Sequence, residues 1–170
     1  MLAKHPDQPT PSASVYTSHR GYQSHPDNVY EPPIAGFHLV DHGIKTPEVR
    51  YDFVQRPKAK PGTFIFYFDF ASAEVHDDQV PVYDEIVKRY QHRRSPIIVI
   101  GETDGFGSHA YNVALAQHRS QVIVDELIQR GIRPDEIELR LQPRCCRHEE
   151  ATSEAVNASR HERITWVHFD

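Results

Sequence analysis

Gly101-Glu-Thr-Asp-Gly-Phe-Gly-Ser-His-Ala-Tyr-Asn-Val-Ala-Leu-Ala-Gln-His-Arg119 is the stretch on which the reading of this chain turns. Just ahead of it, Pro96-Ile-Ile-Val-Ile100 is a β-branched run bounded by Ser95-Pro96 and Gly101, the pattern of a strand buried on both faces. Gly105-Phe-Gly107 reads as a turn, and Ser108 as the N-cap of a helix running to about Arg130. Gly131 supplies its C-cap, with Pro134 beyond. At about 100° per residue, Tyr111, Leu115, Val122, Ile123 and Leu127 span one side of that helix, and Arg119 falls in the middle of the arc. A guanidinium there is costly unless paired, and Asp104 is its natural partner or co-ligand. The spacing fits two arrangements equally: a structural ion pair tying the turn to the helix, or a grip on a zwitterion.

Outward from this unit, strand and helix signals alternate. A strand over Thr63–Phe70, a helix over Val82–His92, the strand Pro96–Glu102 and the helix Ser108–Arg130 are followed by a strand over Glu136–Leu141, a short helix over Glu149–Ser159 and a strand over Arg163–Phe169. This order predicts an α/β (α+β) two-layer sandwich. Its mixed β-sheet has about four strands with helices packed on one face, since the last strand follows a short connection. Nine of the 13 prolines precede Thr63. Residues 1–33 mix His, Pro, Ser, Tyr and Asp without periodicity and read as a flexible arm or linker. Residues 34–62 read as an extended segment, in which Val49-Arg-Tyr-Asp-Phe-Val54 alternates well enough for an added edge strand. Residues 63–170 form the domain proper, and 170 residues hold one ordinary core.

A net charge of −5 and a pI near 6.2 argue against nucleic acid, which needs a basic footprint. Lys88-Arg89 and Arg93-Arg94 form a small basic patch, read as a solvated helix end. No stretch reaches the apolar length that spans a bilayer, and Met1-Leu-Ala-Lys-His runs straight into polar sequence without a signal peptide. Cys145 and Cys146 are adjacent; with His148 they suggest a soft metal site, but no second ligand pair follows at the usual spacing, so neither metal nor cofactor is expected. The 12 histidines are scattered; His109 and His118 lie on the motif helix, where they would tune local charge near pH 6. No carboxylate pair across a cleft, zinc triad or activated Cys or Ser is recognisable, and the expectation is a binding module, not an enzyme.

The motif resembles the OmpA-like peptidoglycan-binding domain, a family shared by the C-terminal part of OmpA, Pal lipoproteins and MotB stator proteins. The family's signature is a Gly-His-Thr-Asp turn, an Asn, then a Leu-Ser-x-x-Arg-Ala helix. Thr103 and Asp104 match the turn, Asn112 the Asn, and Leu115 to Arg119 the helix. Phe66-Tyr-Phe-Asp-Phe-Ala-Ser-Ala-Glu-Val75 is similar to the family's first strand, and Gly131-Ile-Arg-Pro-Asp-Glu-Ile137 to its helix-to-strand turn. The likeness covers about Thr63 to Phe169.

The resemblance implies noncatalytic binding of the diaminopimelate of a peptidoglycan stem peptide, with Asp104 on its ammonium and Arg119 on its carboxylate. Thr103, Asn112 and backbone N–H groups near Ser108 would complete the pocket, and Arg163 would be a second basic contact. It also implies work in the periplasm, tethered to the inner or outer membrane by a segment absent from this chain. There are departures. Glu102 stands where the family has His, adding a negative charge beside Asp104; Ala71 replaces a commonly polar residue; His161-Glu-Arg-Ile-Thr-Trp166 replaces Asn-Arg-Arg-Val-Glu-Ile; and Gln142 to His148 replaces a glycine-rich turn. These altered edges, and the tyrosines of the arm, keep a second function open: a structural subunit of an envelope machine, a secretion system or a motor stator, contacting other envelope proteins with weak or vestigial wall binding. Whether it forms a homodimer is left open by the sequence.

Overall fold

The structure, a computed structural model, describes residues 33–36, 42–45, 47–49, 62–144 and 151–170. Eight principal elements follow one another: β1 (Glu48–Val49), β2 (Phe64–Tyr67), α1 (Val80–Arg93), β3 (Ile97–Glu102), α2 (His109–Gln129), β4 (Ile137–Gln142), α3 (Ser153–Ala158) and β5 (Ile164–Phe169). The sheet order is β1-β4-β3-β5-β2. β3 pairs in parallel with β4 and antiparallel with β5, and β5 pairs antiparallel with β2. The expected mixed sheet is therefore present. β1 adds two residues in parallel to β4, Glu48 opposite Arg140 and Val49 opposite Leu141; the rest of the alternating stretch to Val54 lies outside the described residues.

β3 is central, and all six of its residues are buried, as its β-branched composition requires. Its two faces carry different cores. Ile97 and Val99 join Phe66 and Val167 beneath α1 (Tyr83, Ile86) and α2 (Ile123, Val124, Leu127). Ile98 and Ile100 instead join Ile164 and Trp166 on the opposite face. Side chains such as Phe66, Ile86, Ile97 and Leu127 are fully buried, each worth about 1.5–3 kcal/mol of transfer free energy.

α2 begins and ends where its residues dictate. Ser108 caps it, accepting from the Tyr111 amide at 3.1 Å. At the other end Gly131 takes φ +97°; its amide donates to the Ile128 carbonyl and that of Ile132 to the Leu127 carbonyl. That double bond pattern needs a left-handed residue, and buried Ile132 closes it against the core. The buried arc differs from the expected one at its flanks. Asn112, Ala116, Ser120 and Val124 are buried, while Tyr111 and Val122 are only half-buried. The cause is β3: a Cβ on Gly101 would sit 2.2 Å from Ser120 Oγ and 2.4 Å from the Ala116 carbonyl oxygen. The helix lies against the strand where both are smallest, and that rotation fixes where Arg119 enters the core.

Two contacts shape the β2 edge. Beyond β2 the chain turns through Ala71 at φ +50°, and Ala35 bridges this turn, its amide donating to the Ala71 carbonyl and its carbonyl accepting from Ala73. The Gln79 side chain accepts from the Tyr67 amide at 2.6 Å and donates to the Tyr67 carbonyl at 2.9 Å.

Candidate functional site

At the C-terminal end of β3 the backbone buries Thr103, Asp104, Asn112, Arg119 and Arg163 together, none more than 3% exposed. Arg119 is fully buried. Its Nε donates to the Ser72 carbonyl at 2.8 Å, one terminal nitrogen to the Asp69 carbonyl at 3.0 Å, and the other to the Glu102 carbonyl at 3.2 Å. Its guanidinium carbon lies 5.2 Å from the centre of the Phe68 ring, a cation–π geometry. Arg119 therefore clamps three carbonyls from β3 and the turn after β2, and three of its five N–H donors are committed to them. Burial pulls its pKa down to about 10, against the nearby Asp104 carboxylate, which raises it; it stays cationic at neutral pH.

Asp104 forms its ion pair with Arg163, at 3.3 Å, and not with the motif-helix arginine the sequence offered. Arg163 also donates through Nε to the Phe68 carbonyl and through its terminal nitrogen to the Val156 carbonyl at 2.7 Å. Ser159 Oγ lies 3.5 Å from Asp104, and the Phe106 amide 3.4 Å from its other oxygen. Asp104 thus sits between two guanidiniums, one bonded and one acting through space.

The other expected residues take distinct places. Thr103 Oγ1 accepts from the Arg144 amide at 3.0 Å, tying the strand end to the segment after β4. Asn112 Nδ2 donates to the Ser108 carbonyl at 3.1 Å, and its Oδ1 is buried without a hydrogen-bond partner. Ser108 Oγ is occupied as the helix cap. The Glu102 carboxylate lies on the face of β3 that carries Ile98 and Ile100, where Trp166 Nε1 donates to it at 2.6 Å. Burial lowers the pKa of both motif-helix histidines, and brings that of His118 down to about 4, so His118 does not charge near pH 6. Cys145, Cys146 and His148 lie outside the described residues; among those described, no group of His, Cys, Asp and Glu is placed to hold a metal ion.

Sequence reasoning missed the Glu102–Trp166 bond and the Arg163–Asp104 pair. The first had a signal: Ile98, Ile100 and Glu102 alternate onto one face, and Ile100 lies opposite Trp166 in β5. Beside the shell opens a cleft of about 300 Å³ walled by Tyr67, Phe68, Asp69, His76, Gln79 and Arg160. It shares the Phe68–Asp69 backbone that the two arginines hold.

The comparisons with known proteins agree with this fold. Over 120 residues the chain is 28% identical to outer membrane protein A of Citrobacter freundii, a match covering 59% of this chain and 50% of that protein. Over 74 residues it is 27% identical to a peptidoglycan-associated lipoprotein of Pseudomonas putida, covering 44% and 45% respectively. The chain thus spans about half the length of these relatives. The crystal structure of the peptidoglycan-associated lipoprotein from Burkholderia pseudomallei superposes with a TM-score of 0.54 at 23% identity, over 62% of this chain and 89% of that one, which supports the fold. No helix among the described residues is long and apolar enough to cross a membrane. Residues 67–161, more than half of the chain, match the OmpA family, and the chain belongs to that family.

Proposed function

We propose that the chain binds peptidoglycan without catalysis and anchors a membrane protein or an envelope complex to the cell wall. It works in the periplasm, held to the inner or outer membrane through a segment outside this chain. The ligand is the diaminopimelate of a stem peptide, its ammonium meeting Asp104 and its carboxylate the remaining donors of Arg119. The observation that carries the reading is the charge of the buried shell. One carboxylate lies between two guanidiniums, leaving a positive charge that an incoming carboxylate would neutralise through paired hydrogen bonds. The unpartnered Asn112 Oδ1 offers an acceptor for a ligand N–H, since a buried acceptor left unmatched costs about 1–3 kcal/mol. The adjoining cleft gives the rest of the stem peptide room to lie.

The test is co-sedimentation of the chain with diaminopimelate-type sacculi, competed by free diaminopimelate and, separately, by lysine. Competition by diaminopimelate alone is expected. Asp104→Asn should lose sacculus binding and, because it also breaks the buried pair with Arg163, some stability, so its binding is read well below its own melting temperature. Sacculi that leave the chain in the supernatant would sink the reading. A second reading, a structural subunit of a secretion system or motor stator, is favoured by one observation: Asp104 and Arg119 are sealed, 2% and 0% exposed. Under it, pull-down from envelope extracts recovers protein partners while sacculi bind neither wild type nor variant.

A further inference from the structure

Half of the ten described arginines are paired with a carboxylate. Arg130, Arg133, Arg140, Arg144 and Arg163 each face a carboxylate within 4 Å. At the C-terminal half of α1, Lys88, Arg89, His92 and Arg93 have no such partner among the described residues. They surround a cavity of about 360 Å³ whose other walls are Phe64 and Glu85. The cavity is at the sheet end remote from Asp104: Phe64 opens β2 opposite Val167, and Phe169 lies opposite Ile97 at the start of β3.

Two features mark this cluster as more than a solvated helix end. Lys88 with His92, and Arg89 with Arg93, are basic pairs at i,i+4, a spacing that costs stability where both are charged. A helix end needs only its last-turn cations, here His92 and Arg93, to offset the dipole. Arg89 is also fixed in place. Its guanidinium lies 5.4 Å over the Phe169 ring and so close to the chain that a Cβ on Gly62 would sit 2.1 Å from its terminal nitrogen. Its Nε is buried with no hydrogen-bond partner. A pre-oriented arginine with an unmatched donor, flanked by Lys88, His92 and Arg93 against the single lining carboxylate of Glu85, in a chain of net charge −5, has the chemistry of a phosphate receptor.

We propose that the cavity between α1 and the start of β2 binds a phosphate group, with Arg89 donating to its oxygens and Lys88, His92 and Arg93 surrounding it. Its source is either the headgroup of an anionic phospholipid or a soluble phosphate ester. The Phe64 wall, backed by Phe169 beneath the Arg89 guanidinium, suits the apolar neighbourhood of a headgroup. Because the site lies away from the Asp104 shell, it stands or falls separately from wall binding.

The test uses the full chain with two probes: inorganic phosphate followed by calorimetry, and sedimentation with vesicles of phosphatidylglycerol in phosphatidylcholine against phosphatidylcholine alone. The exposed pair Lys88→Gln with Arg93→Gln, and separately Arg89→Gln, should each weaken binding roughly tenfold or more, with sacculus sedimentation unchanged. Salt-sensitive binding to the anionic vesicles, lost in the exposed-pair variant, assigns the site to a lipid headgroup. Binding of inorganic phosphate alone, lost in the same variant, assigns it to soluble esters. Binding of neither probe, or equal binding by the exposed-pair variant, overturns the proposal.

Discussion

Arg119 and Arg89 are both arginines set against an aromatic ring near opposite ends of the sheet, and they spend their donors differently. Arg119 commits three N–H groups to the carbonyls of Asp69, Ser72 and Glu102, so that much of its hydrogen-bonding capacity maintains the fold. Arg89 has a buried Nε with no acceptor, beside Lys88, Arg93, His92 and Glu85. Proximity to a pocket does not by itself mark a binding arginine; what separates the two is where the donors go. A sequence motif identifies the first and is silent on the second.

The largest effect should come from removing Arg119. Arg119→Met leaves three buried carbonyls without their donor and Asp104 with one guanidinium fewer, and should cost about 3–5 kcal/mol in denaturant unfolding. Arg119→Ala therefore reports on folding before it reports on binding, and a melting temperature unchanged from wild type would mean that the clamp is dispensable. Next is Gly101→Ala, which drives a methyl into Ser120 and the Ala116 carbonyl. It should destabilise by about 1–3 kcal/mol and shift the helix that carries Arg119; chemical shifts at Arg119 that do not move would argue against that coupling.

A third way to sharpen the contrast is acid. His118 titrates near 6.5 when unfolded and at about 4 in the fold, so between these values the unfolded chain binds the extra proton. Its contribution is complete above pH 6.5, falls as pH drops from there towards 4, and is then fully lost. The loss should be on the order of 2 kcal/mol after solvent screening. His118→Gln should flatten that limb of the stability profile, and wall binding should not change between pH 6 and 7.5 on account of this histidine. The smallest effect belongs to the α1 rim. Lys88→Gln with Arg93→Gln should alter stability by no more than about 0.5 kcal/mol, or raise it slightly by relieving repulsion. A loss of several degrees in the melt would mean that these cations are structural.

The legible parts of the fold are those with local causes. The capping serine at 108, the Gly131 terminus and the β-branched run before Gly101 each act within a few residues, and β3 and α2 fall within a residue or so of where those signals place them. Arg119 was legible too, because a charged residue inside an apolar arc stands out, with Asp104 as its offered partner; Thr103, Asn112 and Arg163 came only from the family resemblance. The bonded partners were not legible. The acceptors of Arg119 are carbonyls 17 to 50 positions away, and a carbonyl carries no side-chain identity for a pattern to catch. Arg163 reaches Asp104 across 59 positions, a pairing fixed by β5 lying beside β3 and by nothing local. The rotation of α2 likewise followed from Gly101 meeting Ala116 and Ser120, a fit between two elements that neither displays alone.

The amide of Gln79 closes a different question. β2 is an outer strand among those described, and such strands present unpaired N–H and C=O groups that invite another chain to join the sheet. At Tyr67 both groups already bond to one side chain, which occupies the position the next strand would take. Copies crowded side by side therefore meet at that point a finished border instead of an open seam. At Tyr67, backbone pairing between copies, which would be hard to reverse, is closed off.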